Sequence, residues 1–100
     1  MEEYLLYSAR CNEIEGMQEC LDANVPIDYQ NEDMGNAALH LASANGHLPA
    51  ITFLLENGAT VNLLNKSKNT PLHWACLLGQ FEAVKLLCEW QTKNPDRPES

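Results

Sequence analysis

Between Ala38 and Glu56 the apolar positions follow a helical rather than an alternating spacing. Leu39, Leu41 and Ala42 give one face to a short first helix, and Ile51, Leu54 and Leu55, at i, i+3 and i+4, mark the buried stripe of a second. Gly46, tolerant of positive φ, ends the first helix. Pro49 lies near the start of the second, where a missing N–H costs nothing. Asn57-Gly58 stops that helix, and Ala59-Thr60-Val61-Asn62 is expected to run extended toward the next unit.

The same pattern returns 33 residues later. Ala38-Leu39-His40-Leu41-Ala42 is matched by Pro71-Leu72-His73-Trp74-Ala75, Gly46 by Gly79, and Ile51 by Val84. A fainter copy lies 34 residues upstream, where Leu5, Ser8, Ile14, Met17 and Cys20 meet Leu39, Ala42, Leu48, Ile51 and Leu54. The one-residue difference implies an insertion near Met34, in a loop between units. The expected organisation is one domain over 1–90, with units near 1–31, 32–64 and 65–90, each a pair of short helices. The small residues Ala42, Ala44 and Ala75 let helices approach closely. Residues 91–100 are polar, and Asn94-Pro95 and Arg97-Pro98 block helix, so this stretch is expected to be a disordered tail.

Thr70-Pro71-Leu72-His73-Trp74-Ala75, the relaxed copy Ala37-Ala38-Leu39-His40-Leu41-Ala42, Asn45-Gly46-His47 and Asn57-Gly58-Ala59-Thr60-Val61-Asn62 resemble the signature segments of the ankyrin-repeat family. The resemblance covers residues 4–90. It implies an all-α solenoid of stacked helix pairs with β-hairpin-like loops projecting to one side. It also implies structural roles for Thr70, His73 and His40, which pin loop to helix, and a core position for Trp74. Members bind other proteins through loop tips and the concave ends of the first helices. Carried onto this chain, those positions are Asp33, Met34 and Asn36, then Lys66, Ser67 and Asn69, with Arg10, Cys11, Ala44, Asn45, Leu77 and Leu78 on the helices. Asn65 to Ala75 and Val84 to Glu89 are similar to a repeat of small fungal ankyrin-type chaperones of a basic ribosomal protein. That implies an escort role in ribosome biogenesis; a signalling or scaffold adaptor is the alternative.

Leu77 and Leu78 depart from the family pattern, which often has polar residues there, and Leu63 and Leu64 are likewise apolar in a stretch that leads to a loop tip. They pack locally or form an apolar contact patch. Val84, Leu87 and Cys88 belong to a face that no complete further unit covers in this sequence: either the tail and Trp90 cover it, or the chain pairs through it with another copy or another partner, or the sequence is truncated there.

Charge adds a direction. The net charge is −8, and all of the excess falls in residues 1–33, where Glu2, Glu3, Glu13, Glu15, Glu19, Asp22, Asp28, Glu32 and Asp33 face one basic residue, Arg10. This is either a solvated face or a surface that steers a basic partner. Direct nucleic-acid binding is disfavoured, since it needs clustered Lys and Arg. No stretch approaches roughly 18 consecutive apolar residues, so no membrane span is expected.

Cys11, Cys20, Cys76 and Cys88 lie in helix-like stretches and read as buried free thiols of a reducing compartment, cytoplasm or nucleus. Their spacing with the three histidines does not suit zinc. No nucleophile elbow, phosphate loop or cofactor motif is present. Glu13 and Glu15 face different ways on a helix, and no histidine is near Cys11 in sequence. The expected role is binding without catalysis or cofactor.

Overall fold

The computed structural model describes residues 1–93. Among these are six helices and no strand: α1 (Glu2–Arg10), α2 (Ile14–Asp22), α3 (Ala38–Ala44), α4 (Leu48–Glu56), α5 (Pro71–Leu77) and α6 (Phe81–Lys93). They form three successive pairs, units 1, 2 and 3. The first helices α1, α3 and α5 pack side by side in one layer, and α2, α4 and α6 form the second.

Small residues recur where the two helices of a pair meet. Ser8, Ala42 and Ala75 on the first helices and Gly16, Ala50 and Ala83 on the second are all buried. In unit 1 the fit leaves no room for a methyl, since a Cβ on Gly16 would collide with Ser8 Oγ. Around these contacts, Leu5, Met17, Cys20, Leu39, Ile51, Leu54, Leu55 and Leu87 make one continuous core. Each fully buried Leu or Ile contributes about 1.5–3 kcal/mol from apolar area alone.

The loops close by hydrogen bonds of one design. Asn31 N–H donates to Asn36 O (3.1 Å), while Asn31 Oδ1 accepts from the amides of Met34, Gly35 and Asn36. Asn65 N–H donates to Asn69 O (3.0 Å), and Asn65 Oδ1 accepts from Ser67 and Asn69. The first loop spans one residue more than the second, so the insertion expected near Met34 is accommodated inside the turn. The loops are also joined to each other. Lys66 N–H donates to Met34 O at 2.9 Å, and Asn65 Nδ2 donates to Asn36 Oδ1 at 2.8 Å.

His40 is the pin between units. It is 1 % exposed. Its Nδ1 accepts from Ala37 N–H (3.1 Å) and its Nε2 donates to Asn69 O (2.9 Å), so the proton sits on Nε2. Burial lowers its pKa below the ordinary 6.5, despite its backbone hydrogen bonds. In unit 3, Thr70 Oγ1 caps α5 by accepting from His73 N–H, but the His73 ring is exposed.

Three expectations need correction. Ala59-Thr60-Val61-Asn62 does not stay extended; Val61 and Asn62 form a turn, and Thr60 N–H and Oγ1 both donate to the Asp28 carboxylate of the preceding linker. Helix α6 continues through Gln91, Thr92 and Lys93, three residues into the stretch expected to be a tail, and Gln91 Nε2 reaches Asn62 Oδ1 (3.3 Å). The rest of that stretch, 94–100, lies outside the described residues. Finally, of the four cysteines only Cys20 is buried; Cys11, Cys76 and Cys88 are exposed. Cys76 and Cys88 correspond to the buried Ser43 and Leu55 of unit 2, which unit 3 covers.

This packing sets the cost of two changes. Gly46 and Gly79 both have positive φ, but a Cβ on Gly46 would strike Gln80 whereas one on Gly79 meets nothing within 4 Å. Gly79→Ala should cost the left-handed strain alone, about 1–2 kcal/mol, and Gly46→Ala measurably more, as read from urea midpoints at constant m-value. Second, a depressed folded pKa means that His40 favours folding fully above about 6.5 and loses that contribution as pH falls through its lower folded value. The urea midpoint should therefore drop between about pH 7.5 and pH 5, and drop less in His40→Gln.

Candidate interaction surface

The ends of the three first helices line up along one edge of the stack. Arg10 and Cys11 are exposed at the end of α1, Asn45 at the end of α3, and Leu77 and Leu78 at the end of α5, the last two 67 % and 50 % exposed. Ala44 is half-buried and lines a crevice of about 40 Å³ with Asn36, His40, Leu41 and Trp74. Trp74 is neither plain core nor free surface. Its ring is half-buried, and its indole N–H is buried without a hydrogen-bond partner.

Loop positions divide into two kinds. Asp33, Met34, Lys66 and Ser67 are exposed at the tips. Asn36 is not: it is 7 % exposed, and its side-chain oxygen is taken by Asn65. Asn69 is half-buried, and its carbonyl accepts from both Asn65 and His40. These two asparagines join the units and do not present a free surface, so the assignment of Asn36 as a tip contact is corrected. The signature alone does not separate them from the tips, because loop closure uses the same residue type that binding uses.

Sequence reasoning missed several surface groups. Phe81 is 76 % exposed, and Tyr4 and Tyr7 are exposed as well. Phe81 occupies the position of Leu48 in unit 2, which is half-buried against its neighbour. The signal was present in the repeat alignment, since the last unit of a stack exposes what inner units cover. The structure also brings His47 beside the end of α1, where its Nε2 donates to Arg10 O at 2.9 Å.

Eight of the nine acidic side chains in residues 1–33 are exposed. Asp28 is the exception, held by Thr60. Among the described residues, no lysine or arginine side chain forms an ion pair with any of them; the N-terminal ammonium lies 3.7 Å from Glu2. Tyr29 donates its hydroxyl to Glu3 (3.1 Å), and this bond, with burial and the nearby charges of Glu3, Glu2 and Glu32, raises its pKa above the usual phenol value. The described residues contain no group of three or more His, Cys, Asp or Glu that could hold a metal ion, and no helix long and apolar enough to cross a membrane.

With this arrangement of helix pairs, pinned loops and exposed edge in place, the match to known families is specific. A family model for ankyrin repeats, in three copies, matches residues 5–98. The chain belongs to the ankyrin-repeat family. Relatives include a probable E3 ubiquitin-protein ligase, XBOS33, of Oryza sativa subsp. japonica, 48 % identical over 52 % of this chain and 10 % of that protein. The human transient receptor potential cation channel subfamily A member 1 is 33 % identical over 89 % of this chain and 8 % of its own length. The probable 26S proteasome regulatory subunit p28 of Saccharomyces cerevisiae is 35 % identical over 62 % of this chain and 30 % of its own. The chain thus spans no more than 30 % of the length of these relatives. None of the three is a ribosomal chaperone by name, and the narrower resemblance gains no support from them. What they share with this chain is the repeat, a protein–protein interaction module.

Leu77 and Leu78 can be altered without touching the core. Leu77→Asp and Leu78→Asp should leave the circular dichroism spectrum and urea midpoint near those of the parent. Each should weaken partner capture about tenfold or more, the loss of one buried leucine contact. Undiminished pull-down by both variants would remove these leucines from the interface.

Proposed function

We propose that this ankyrin module binds and escorts a basic protein segment. The acidic surface of unit 1 attracts the partner, and Leu77 and Leu78 at the far end of the same edge supply an apolar grip. The observation that carries this reading is the unpaired charge. Eight exposed carboxylates stand in unit 1 and its loop with no lysine or arginine side chain paired to them among the described residues. Such a surface gains Coulomb energy from a cationic partner at little desolvation cost, and raises association rate more than it deepens affinity. A basic ribosomal protein is one client of this chemistry, which would place the module in ribosome biogenesis. The module acts by binding, without catalysis or cofactor.

A second reading, a regulatory or scaffold adaptor, is favoured by the likeness to the probable proteasome regulatory subunit. The two differ in their response to salt. The Debye length falls from about 10 Å at 0.1 M to about 3 Å at 1 M. Affinity capture from cell extract at the two salt concentrations, with mass spectrometry of the bound proteins, should recover a basic partner at low salt and lose it at high salt. A partner retained equally at both, or one that is not basic, would support the adaptor and overturn the escort.

A further inference from the structure

The sequence contains two Asn-Gly pairs, Asn45-Gly46 after α3 and Asn57-Gly58 after α4. Such a pair carries its own chemistry. Glycine has no Cβ to hinder its backbone nitrogen, and that nitrogen can attack the asparagine side-chain carbonyl. It gives its proton to base and bonds to Cγ. The Cγ–Nδ2 bond breaks, and Nδ2 leaves as ammonia. Water then opens the succinimide ring at either carbonyl, which leaves aspartate or isoaspartate.

In the folded chain both pairs are tied down in the same way. Asn45 Nδ2 donates to Leu41 O (2.8 Å), and Asn57 Nδ2 donates to Phe53 O (2.7 Å). The N–H groups of Gly46 and Gly58 donate to Ser43 O and Leu55 O, each at 3.1 Å. Nucleophile and carboxamide are thus both held by the helix end. Reaction waits for the turn to open, at the peptide rate multiplied by the fraction of molecules open there.

What must open differs between the two. Gly46 lies beneath the Gln80 side chain, whose Nε2 donates to Ala44 O (3.1 Å). The next residue, His47, bonds through its ring to Arg10 O (2.9 Å). Freeing Asn45-Gly46 therefore disturbs the contacts of unit 2 with both of its neighbours. Asn57 and Gly58 are both exposed, and a Cβ on Gly58 would meet no atom within 4 Å. Freeing them requires only that the last turn of α4 fray.

The product would not leave the fold unchanged. A carboxylate at position 57 has no proton to give Phe53 O, and it stands at the negative end of the helix. Isoaspartate also routes the backbone through the side-chain carbon and lengthens it just ahead of Ala59 and Thr60. Ala59 is buried and its N–H donates to Leu54 O (3.0 Å), while Thr60 is bonded to Asp28. These contacts fix the linker that leads into unit 3.

We propose that Asn57 is a site of spontaneous deamidation in the folded protein, that Asn45 is shielded from the same reaction by unit 3, and that conversion of Asn57 loosens the attachment of unit 3. The chemistry is independent of the charge of unit 1 and of any partner.

The full chain is held in mildly alkaline buffer, and aspartate and isoaspartate at each site are quantified over time by peptide mapping with electron-transfer fragmentation. Product should accumulate at Asn57 about tenfold or more faster than at Asn45. The chain unfolded in urea should react at both sites at similar rates. Gln80→Ala, which removes the cover over Gly46, should bring the Asn45 rate toward that of Asn57. Asn57→Asp should speed amide hydrogen exchange in α5 and α6 severalfold and leave α1 near the parent. Equal rates at the two sites in the folded chain would overturn the proposal, as would a folded chain that does not react at Asn57 while the unfolded chain does. An unchanged ratio in Gln80→Ala would remove the shielding by unit 3. Parent-like exchange of α5 and α6 in Asn57→Asp would remove the loosening.

Discussion

No helix pair in this protein can bury its apolar side by itself. Each pair is a thin slab of two short helices, and the residues that face the next slab are as apolar as those inside it. Ile51 and Leu55 are buried because unit 3 lies against them; Val84 and Cys88, at the same positions one unit later, are not. Stability therefore comes from neighbour on neighbour, in one dimension. Most polar groups at the junction of units 2 and 3 are satisfied within that contact, the Trp74 indole N–H being an exception. His40, Asn65 and Gln80 bond across it, since an unpaired buried group costs about 1–3 kcal/mol.

The surface available for binding is what stacking leaves over. Along one edge the ends of the first helices and the loop tips stay open because the stack needs only their backbones and the asparagines beneath them. At the ends, the chemistry of the two faces differs. Unit 1 is acidic and wet, with tyrosines among carboxylates; unit 3 is apolar and carries two thiols. A partner that touches both ends meets attraction at long range and desolvation at short range, and these act on different steps of association.

Much of this was legible in the sequence. Helix pairs, their boundaries at Gly46 and Asn57-Gly58, and the insertion near Met34 are set by period and local stereochemistry; the pinning role of His40 is what the family resemblance implies, and its reach to Asn69 was not legible. Those signals depend on neighbours a few residues away, or on a repeat that multiplies them. What escaped depends on contacts that sequence spacing does not encode. Asn36 looked like a tip residue because its burial arises from Asn65, 29 residues on. Cys76 and Cys88 looked like core because their counterparts are core, and exposure there is decided by the unit beyond. Helix α6 ran farther than expected because no Gly follows Glu89 to end it where Asn57-Gly58 ends α4, and Gln91 finds a partner in Asn62.

The extra residue in the first loop breaks the regularity of the binding edge. A perfectly periodic stack offers every ligand several equivalent alignments, each one unit apart, and binding entropy then favours a sliding mixture. Here the loop closed by Asn31 and Asn36 is longer than the one closed by Asn65 and Asn69, and Met34 stands out from it at 46 % exposure. Moving a ligand by one unit would set it against a loop of different length, so the two loops offer a periodic ligand unequal alignments.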